Sequence, residues 1–210
     1  MKVAKIALVV CAVLTAGGTI MAQDRMPPIP ADKQTDAQKK VVQEITSGPR
    51  GAQGLIGPFI PLLRSPDFMD RLQKTGEYLR YHNTIGTQLT EFTILVTSRE
   101  WTQNFEWYAH QDLAQKAGVS ADVIAAVRDG RHPTGMTDDQ DLVYTFCTEL
   151  HAHHSVSDAT YARAVKRFGE QGVVDLTGLT GYYTLLSMIM NVARTPLPAG
   201  VDPKLAPFPH

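Results

Sequence analysis

Apolar residues in this chain recur at helical rather than strand spacing. Through "DFMDRLQKTGEYLRYH", Phe68, Leu72 and Leu79 fall near one helical face. Ser65 followed by Pro66 supplies a start: a side-chain acceptor for free N–H groups, then proline at the first helical position. A second helix is predicted over 88–101, "QLTEFTILVTSREW". Its centre, Phe92 to Val96, is apolar nearly all round apart from Thr93, which predicts burial. A third runs over about 103–117 and stops at Gly118. Ser120 caps the short "ADVIAAVRDG", and Thr137 with Asp138 and Asp139 opens a helix to about His153. Ser157 and Asp158 start "DATYARAVKRFG", with Tyr161, Ala164, Val165 and Phe168 as its stripe. The last helix spans about 172–194. Its Leu185, Leu186, Met188, Ile189 and Met190 exceed what a one-sided surface helix needs, so it is either central or meets another subunit. No strand alternation and no repeat occur. The pattern predicts an all-α, compact multi-helix bundle of about seven helices.

The chain ends read differently. Residues 1–22, "MKVAKIALVVCAVLTAGGTIMA", carry Lys2 and Lys5, an apolar run from about Ile6 to Leu14, then small residues. That is the layout of a secretory signal peptide, too short in its apolar run to span a bilayer comfortably. The expected location is periplasmic or secreted, with no membrane association after cleavage. No later stretch is expected to span. Residues 23–56 read as a polar, then Gly/Pro-dense tether with a short peripheral helix near 37–45. Residues 57–196 form the helical domain, and 197–210 a proline-rich extended tail.

Composition narrows the partners. Of 210 residues, 43% are hydrophobic and 20% charged, and the net charge is −1, which gives no reason to expect nucleic acid. Removing the leader also removes Cys11 and leaves Cys147 alone. An exported chain with one cysteine forms no internal disulfide and runs no two-cysteine redox cycle by itself.

Candidate chemistry lies in "NFEWYAHQ". Glu106 and His110 stand four apart, so on a helix they are neighbours. A carboxylate that holds one imidazole nitrogen fixes the tautomer and raises basicity. The ordinary alternative is a surface pair worth roughly 0.2–0.5 kcal/mol. Glu91 sits in the apolar "TEFTILV" helix, where a carboxylate is costly unless paired, or else points outward near the helix start.

"GPFIPLLRSPDFMDRLQKTGEYLRYH" and "LTEFTILVTSREWTQNFEWYAHQDLAQKAGVS" together resemble the carboxymuconolactone decarboxylase family, related to the alkylhydroperoxidase D-type proteins. The resemblance covers residues 57–196 and is most specific from Glu91 to Gly118. It implies an all-α fold of the alkylhydroperoxidase D-like type and a homo-oligomer, trimer or hexamer, with sites near subunit contacts. In the redox branch a glutamate, a Cys-x-x-Cys and a histidine four residues later make the site. Aligning that histidine on His110 puts the glutamate at Glu91 and the cysteines at Gln103 and Glu106, so both thiols are absent. The resemblance is therefore to the branch lacking the cysteine pair. It implies decarboxylation, a lyase reaction, with Glu91, Glu106 and His110 as the catalytic group. Gln103 and Trp107 are candidates for substrate binding, Trp107 and Tyr108 being weighed against plain packing roles. An arginine is expected to hold the substrate carboxylate, with Arg64, Arg80 and Arg99 as candidates.

The remaining motifs carry less. His151 and His154 could share a helical face, but their spacing fits no standard zinc pattern, and no metal site is expected. Cys147, between Phe146 and its helix neighbours, reads as a buried small apolar residue. No Gly-x-Gly-x-x-Gly or P-loop occurs, so no cofactor is expected. The expected function is cofactor-free decarboxylation or related proton transfer on a small carboxylated lactone. The alternatives are peroxide chemistry and a non-catalytic small-molecule binding protein.

Overall fold

The structure is a computed structural model that describes residues 23–207. The signal-peptide reading of residues 1–22 lies outside them. Among the described residues all regular secondary structure is helical, without strands. The helices are α1 (Asp36–Ser47), α2 (Phe59–Leu62), α3 (Pro66–Tyr81), α4 (Thr87–Glu100), α5 (Asn104–Lys116), α6 (Ala121–Arg128), α7 (Asp138–His153) and α8 (Asp158–Ala193).

α4 is the axis of the bundle. Every residue from Leu89 to Arg99 is buried, and α5, α7 and α8 pack around it. Phe92, Ile94 and Leu95 are inaccessible to solvent, as expected for a helix without a polar face. α5 ends where Gly118 takes φ +100°, a conformation that costs any residue with a Cβ. Capping follows the sequence at Ser120, Thr137 and Ser157, whose side chains accept from Val123, Gln140 and Thr160 N–H groups. At Ser65 it does not: α3 starts on Pro66, and the serine makes no side-chain cap.

The two predicted C-terminal helices follow one another along α8, separated by a kink at Gly169, where φ is 70° and ψ 174°. Only glycine takes that backbone readily, so the break falls where the pattern placed a boundary. Past the break, Leu186 and Met190 face the core, while Met188 and Val192 are exposed on the opposite side. α8 also has the length and apolar composition of a membrane span, contrary to the expectation of none. Half of that apolar window is packed inside the protein, which accounts for it as a core helix.

The N-terminal segment is more than a tether. Thr35 and Gln38 form a reciprocal capping box at the start of α1. Gln38 Nε2 also donates to the Leu63 carbonyl at 3.0 Å. Val41 and Ile45 are buried against the bundle, with α1 lying on α3. A 3-10 turn at Gly51–Gly54 folds the chain back so closely that a Cβ at Gly54 would lie 3.0 Å from the Ile45 carbonyl. At the other end the tail is held by Asn104, whose Oδ1 accepts from the Lys204 and Leu205 N–H groups at 2.8 Å each.

Ile45→Ala is expected to lower unfolding free energy by about 2–5 kcal/mol in chemical denaturation. A loss within about 0.5 kcal/mol would mean that α1 is not part of the cooperative core.

Candidate active site

The α4–α5 turn sets the site. Gln103 N donates to the Ser98 carbonyl at 2.8 Å, closing α4 tightly before α5 begins. The two helices then run side by side, and residues near the start of α4 face the middle of α5. This brings Glu91 and His110 together although nineteen residues separate them. His110 Nδ1 donates to Glu91 Oε2 at 2.6 Å. On the other side of the ring, His110 Nε2 lies 3.4 Å from Glu106 Oε2, the i,i+4 contact within α5. Behind Glu91, Arg80 of α3 places Nη2 3.5 Å from Glu91 Oε1. α3 and α4 thus contribute one group each and α5 two.

These groups are removed from water: Glu91, Glu106 and His110 are 5%, 3% and 5% exposed. Burial resists the imidazolium, but its hydrogen bonds to Glu106 and Glu91 and their negative charge outweigh it, so His110 titrates above its ordinary 6.5. Burial likewise resists the Glu91 carboxylate, and the His110 hydrogen bond and charge, then Arg80, hold it below its ordinary 4.5. Tyr183 of α8 stands edge-on to the imidazole, ring centres 5.3 Å apart. Burial raises its hydroxyl well above the usual phenol value, so it stays protonated at neutral pH.

A cavity of about 340 Å³ opens against this cluster. Its walls include Glu106, His110, Arg80, Tyr183, Phe59 and Phe105, together with Arg50 from the N-terminal segment. Glu91 stands behind His110 rather than on the wall. The Glu106 Oε1 atom is buried with no hydrogen-bond partner among the described residues. The arrangement presents an oriented imidazole and a carboxylate to a small cavity that opens to solvent, with cations beside them. That is a donor and acceptor of protons held ready without solvent reorganisation.

The remaining sequence candidates separate by position. Gln103 does not reach the cavity. Its side chain accepts from Phe105 N–H and caps α5, while Nε2 donates to Asn191 Oδ1 of α8 at 2.7 Å. Trp107 is fully buried in the core with its Nε1 donating to Gln111 at 3.1 Å, and Tyr108 is exposed. The substrate-facing expectation for Gln103 and Trp107 is thus corrected: the first is a cap and brace, the second a core residue. Glu91, rather than Glu106, is the closer partner of His110. Among the arginine candidates only Arg80 lines the cavity. Arg64 donates to the Ile60 and Pro27 carbonyls, and Arg99 to that of Ala206. Arg50 and Tyr183 were missed. Arg50 lies in an irregular Gly/Pro segment where no periodicity signals a side, and Tyr183 lies in a helix apolar enough to read as plain core.

Cys147 is fully buried, its Sγ 3.6 Å from Thr180 Oγ1. Burial pushes its thiol up to about 12, against the weaker pull of hydrogen bonds from Thr180 and Thr93. His151 and His154 border a separate hollow of about 590 Å³ beside Trp101 and Thr184. No group of three or more potential metal ligands occurs among the described residues.

Two expectations follow from the ion pair. The raised His110 pKa contributes stability that is complete below about 6.5 and lost as pH rises through the folded value. The depressed Glu91 pKa contributes stability present above about 4.5 and lost as pH falls through its folded value. The pair's contribution is therefore complete between about pH 4.5 and 6.5 and declines on either side. Glu91→Gln should lower the His110 pKa, read as an NMR titration of the ring protons; an unmoved titration would mean that the pair does not control His110.

No protein-family model matches the chain, and no curated protein matches it. Among solved structures it is similar to one described as an alkylhydroperoxidase AhpD core, an uncharacterized peroxidase-related protein from Ralstonia eutropha JMP134. The TM-score is 0.66 at 15% identity, over 82% of this chain and 90% of that one. At that identity the likeness speaks for architecture alone, and the chain has the alkylhydroperoxidase D-like fold.

Proposed function

We propose that this protein is a lyase of the carboxymuconolactone decarboxylase type that uses His110 as proton donor to a small carboxylated lactone. The observation that carries the reading is the grip on one buried imidazole. Glu91 holds Nδ1 at 2.6 Å from behind, while the ring and Glu106 face the cavity. In the reaction the bond between the ring carbon and its carboxylate breaks and CO₂ leaves. The electron pair passes into the conjugated lactone carbonyl, and the resulting oxyanion is stabilised by nearby cations such as Arg80. The His110 imidazolium then gives its proton to carbon, and solvent restores it. The raised His110 pKa supports this role, since the two carboxylates favour the proton-carrying form of the ring.

Peroxide reduction through thiols is disfavoured. Gln103 and Glu106 stand where the resemblance places the cysteines of the redox branch, and Cys147 is a buried thiol pushed up to about 12. The leader-like first residues support export, and the exposed Met188 and Val192 on α8 support self-association.

Turnover of 4-carboxymuconolactone and related lactones by the protein lacking residues 1–22 is the test. His110→Ala should lower kcat by about 10²–10⁴-fold, the range of general acid catalysis. Cys147→Ser should leave kcat unchanged. Unchanged turnover in His110→Ala would remove the imidazole from the mechanism. Tight binding of a lactone that is never converted would favour the binding-protein alternative.

A further inference from the structure

Two tyrosines stand side by side on α8 and differ in what their hydroxyls meet. Tyr182 has Arg50 beside its hydroxyl, in space left by Gly76 of α3, where a Cβ would meet both. Arg50 in turn lies over the Phe59 ring, 4.9 Å from the centroid. The Tyr183 hydroxyl forms no hydrogen bond among the described residues. Tyr183 is 2% exposed, and it lines the cavity that His110, Arg80 and Glu106 share. An acceptor for its proton therefore comes through that cavity, from water at rest and from a ligand when one is bound.

The surroundings say what kind of ligand atom that is. Burial keeps the phenol in its O–H form, and among the charged groups Arg80 acts on it most, ahead of Glu106 and Glu91. Arg80 already shares its charge with Glu91, so the hydroxyl adds a directed bond that the shared cation does not give. A neutral ligand oxygen gains an ordinary hydrogen bond there, whereas one that carries charge gains a bond about twice as strong. No proton leaves Tyr183 and no bond to it breaks; the hydroxyl is a donor throughout.

We propose that Tyr183 is the oxyanion donor of this site, its hydroxyl bonding the ligand oxygen into which a conjugated ring spreads negative charge. The cavity then selects enolate- and phenolate-like ligands over neutral molecules of the same shape. This rests on the lyase reading for the chemical step, where that oxygen is the lactone carbonyl's, but not for the binding preference.

4-Nitrophenol tests the preference, because its ionised and neutral forms differ in colour and its charge spreads through the ring; 4-nitrotoluene is the neutral match. On wild type at neutral pH, bound 4-nitrophenol should be the yellow anion. It should bind about 10- to 100-fold more tightly than 4-nitrotoluene, the range of one hydrogen bond to a charged group. Tyr183→Phe should erase that preference without changing 4-nitrotoluene binding, while Tyr161→Phe, at an exposed tyrosine, should change neither. Absent or neutral bound 4-nitrophenol, equal affinities in wild type, or an undiminished preference in folded Tyr183→Phe would overturn the donor. Should Tyr183→Phe fail to fold, replacement of Tyr183 by 3-fluorotyrosine decides. Its more acidic hydroxyl, of nearly the same size, must tighten binding of the anion, and an unchanged affinity overturns the proposal. In lactone turnover Tyr183→Phe should lower kcat by about 10²–10³-fold. A Tyr183-dependent preference without turnover of any lactone would uphold the donor and sink the lyase reading. Turnover with a kcat indifferent to Tyr183→Phe would do the reverse.

Discussion

The chain spends its most expensive burial on one ion pair. A histidine and a glutamate, each about 5% exposed, would each be strongly destabilising alone in the interior. Together, at 2.6 Å, with Arg80 on the far carboxylate oxygen, they are compensated. The compensation requires three helices in fixed register. α4 must present Glu91 near its start, α5 must turn His110 inward, and α3 must bring Arg80 alongside. The buried remainder of α4 and the braced turn after it form the framework that keeps this register.

Chain position explains what the sequence disclosed. The helices of the main domain are legible because their apolar spacing and caps are local. Thr137, Ser120 and Ser157 act on N–H groups three residues away, so the string of letters already contains the interaction. The Glu106–His110 contact is legible for the same reason. The stronger Glu91–His110 contact joins two helices, and spacing alone left Glu91 free to point outward; only resemblance to a known arrangement grouped it with His110.

Trp107 illustrates why adjacency misleads. One residue along a helix turns about 100°, so a side chain next to Glu106 is carried off the cavity face and into the core. Gln103 misleads differently: a position aligned with a reactive group still ends up as the cap of a helix. Arg50 had no legible signal, because a Gly/Pro-rich segment has no repeating geometry from which to read a direction. Its placement depends on Gly76, Phe59 and the chain reversal at Gly54, all of which are tertiary.

The brace at Gln103 bears on how such a fold can diverge. Its side chain ties the start of α5 to Asn191, and Asn191 Nδ2 returns a bond to the Trp101 carbonyl at 3.1 Å. Installing sulfur there would delete a helix terminus and its link to α8, while installing it at Glu106 would strip the imidazole of one neighbour. Each single step is penalised before the pair is complete. Replacing both residues by cysteine therefore meets an epistatic ratchet: neither substitution is neutral before the other is present.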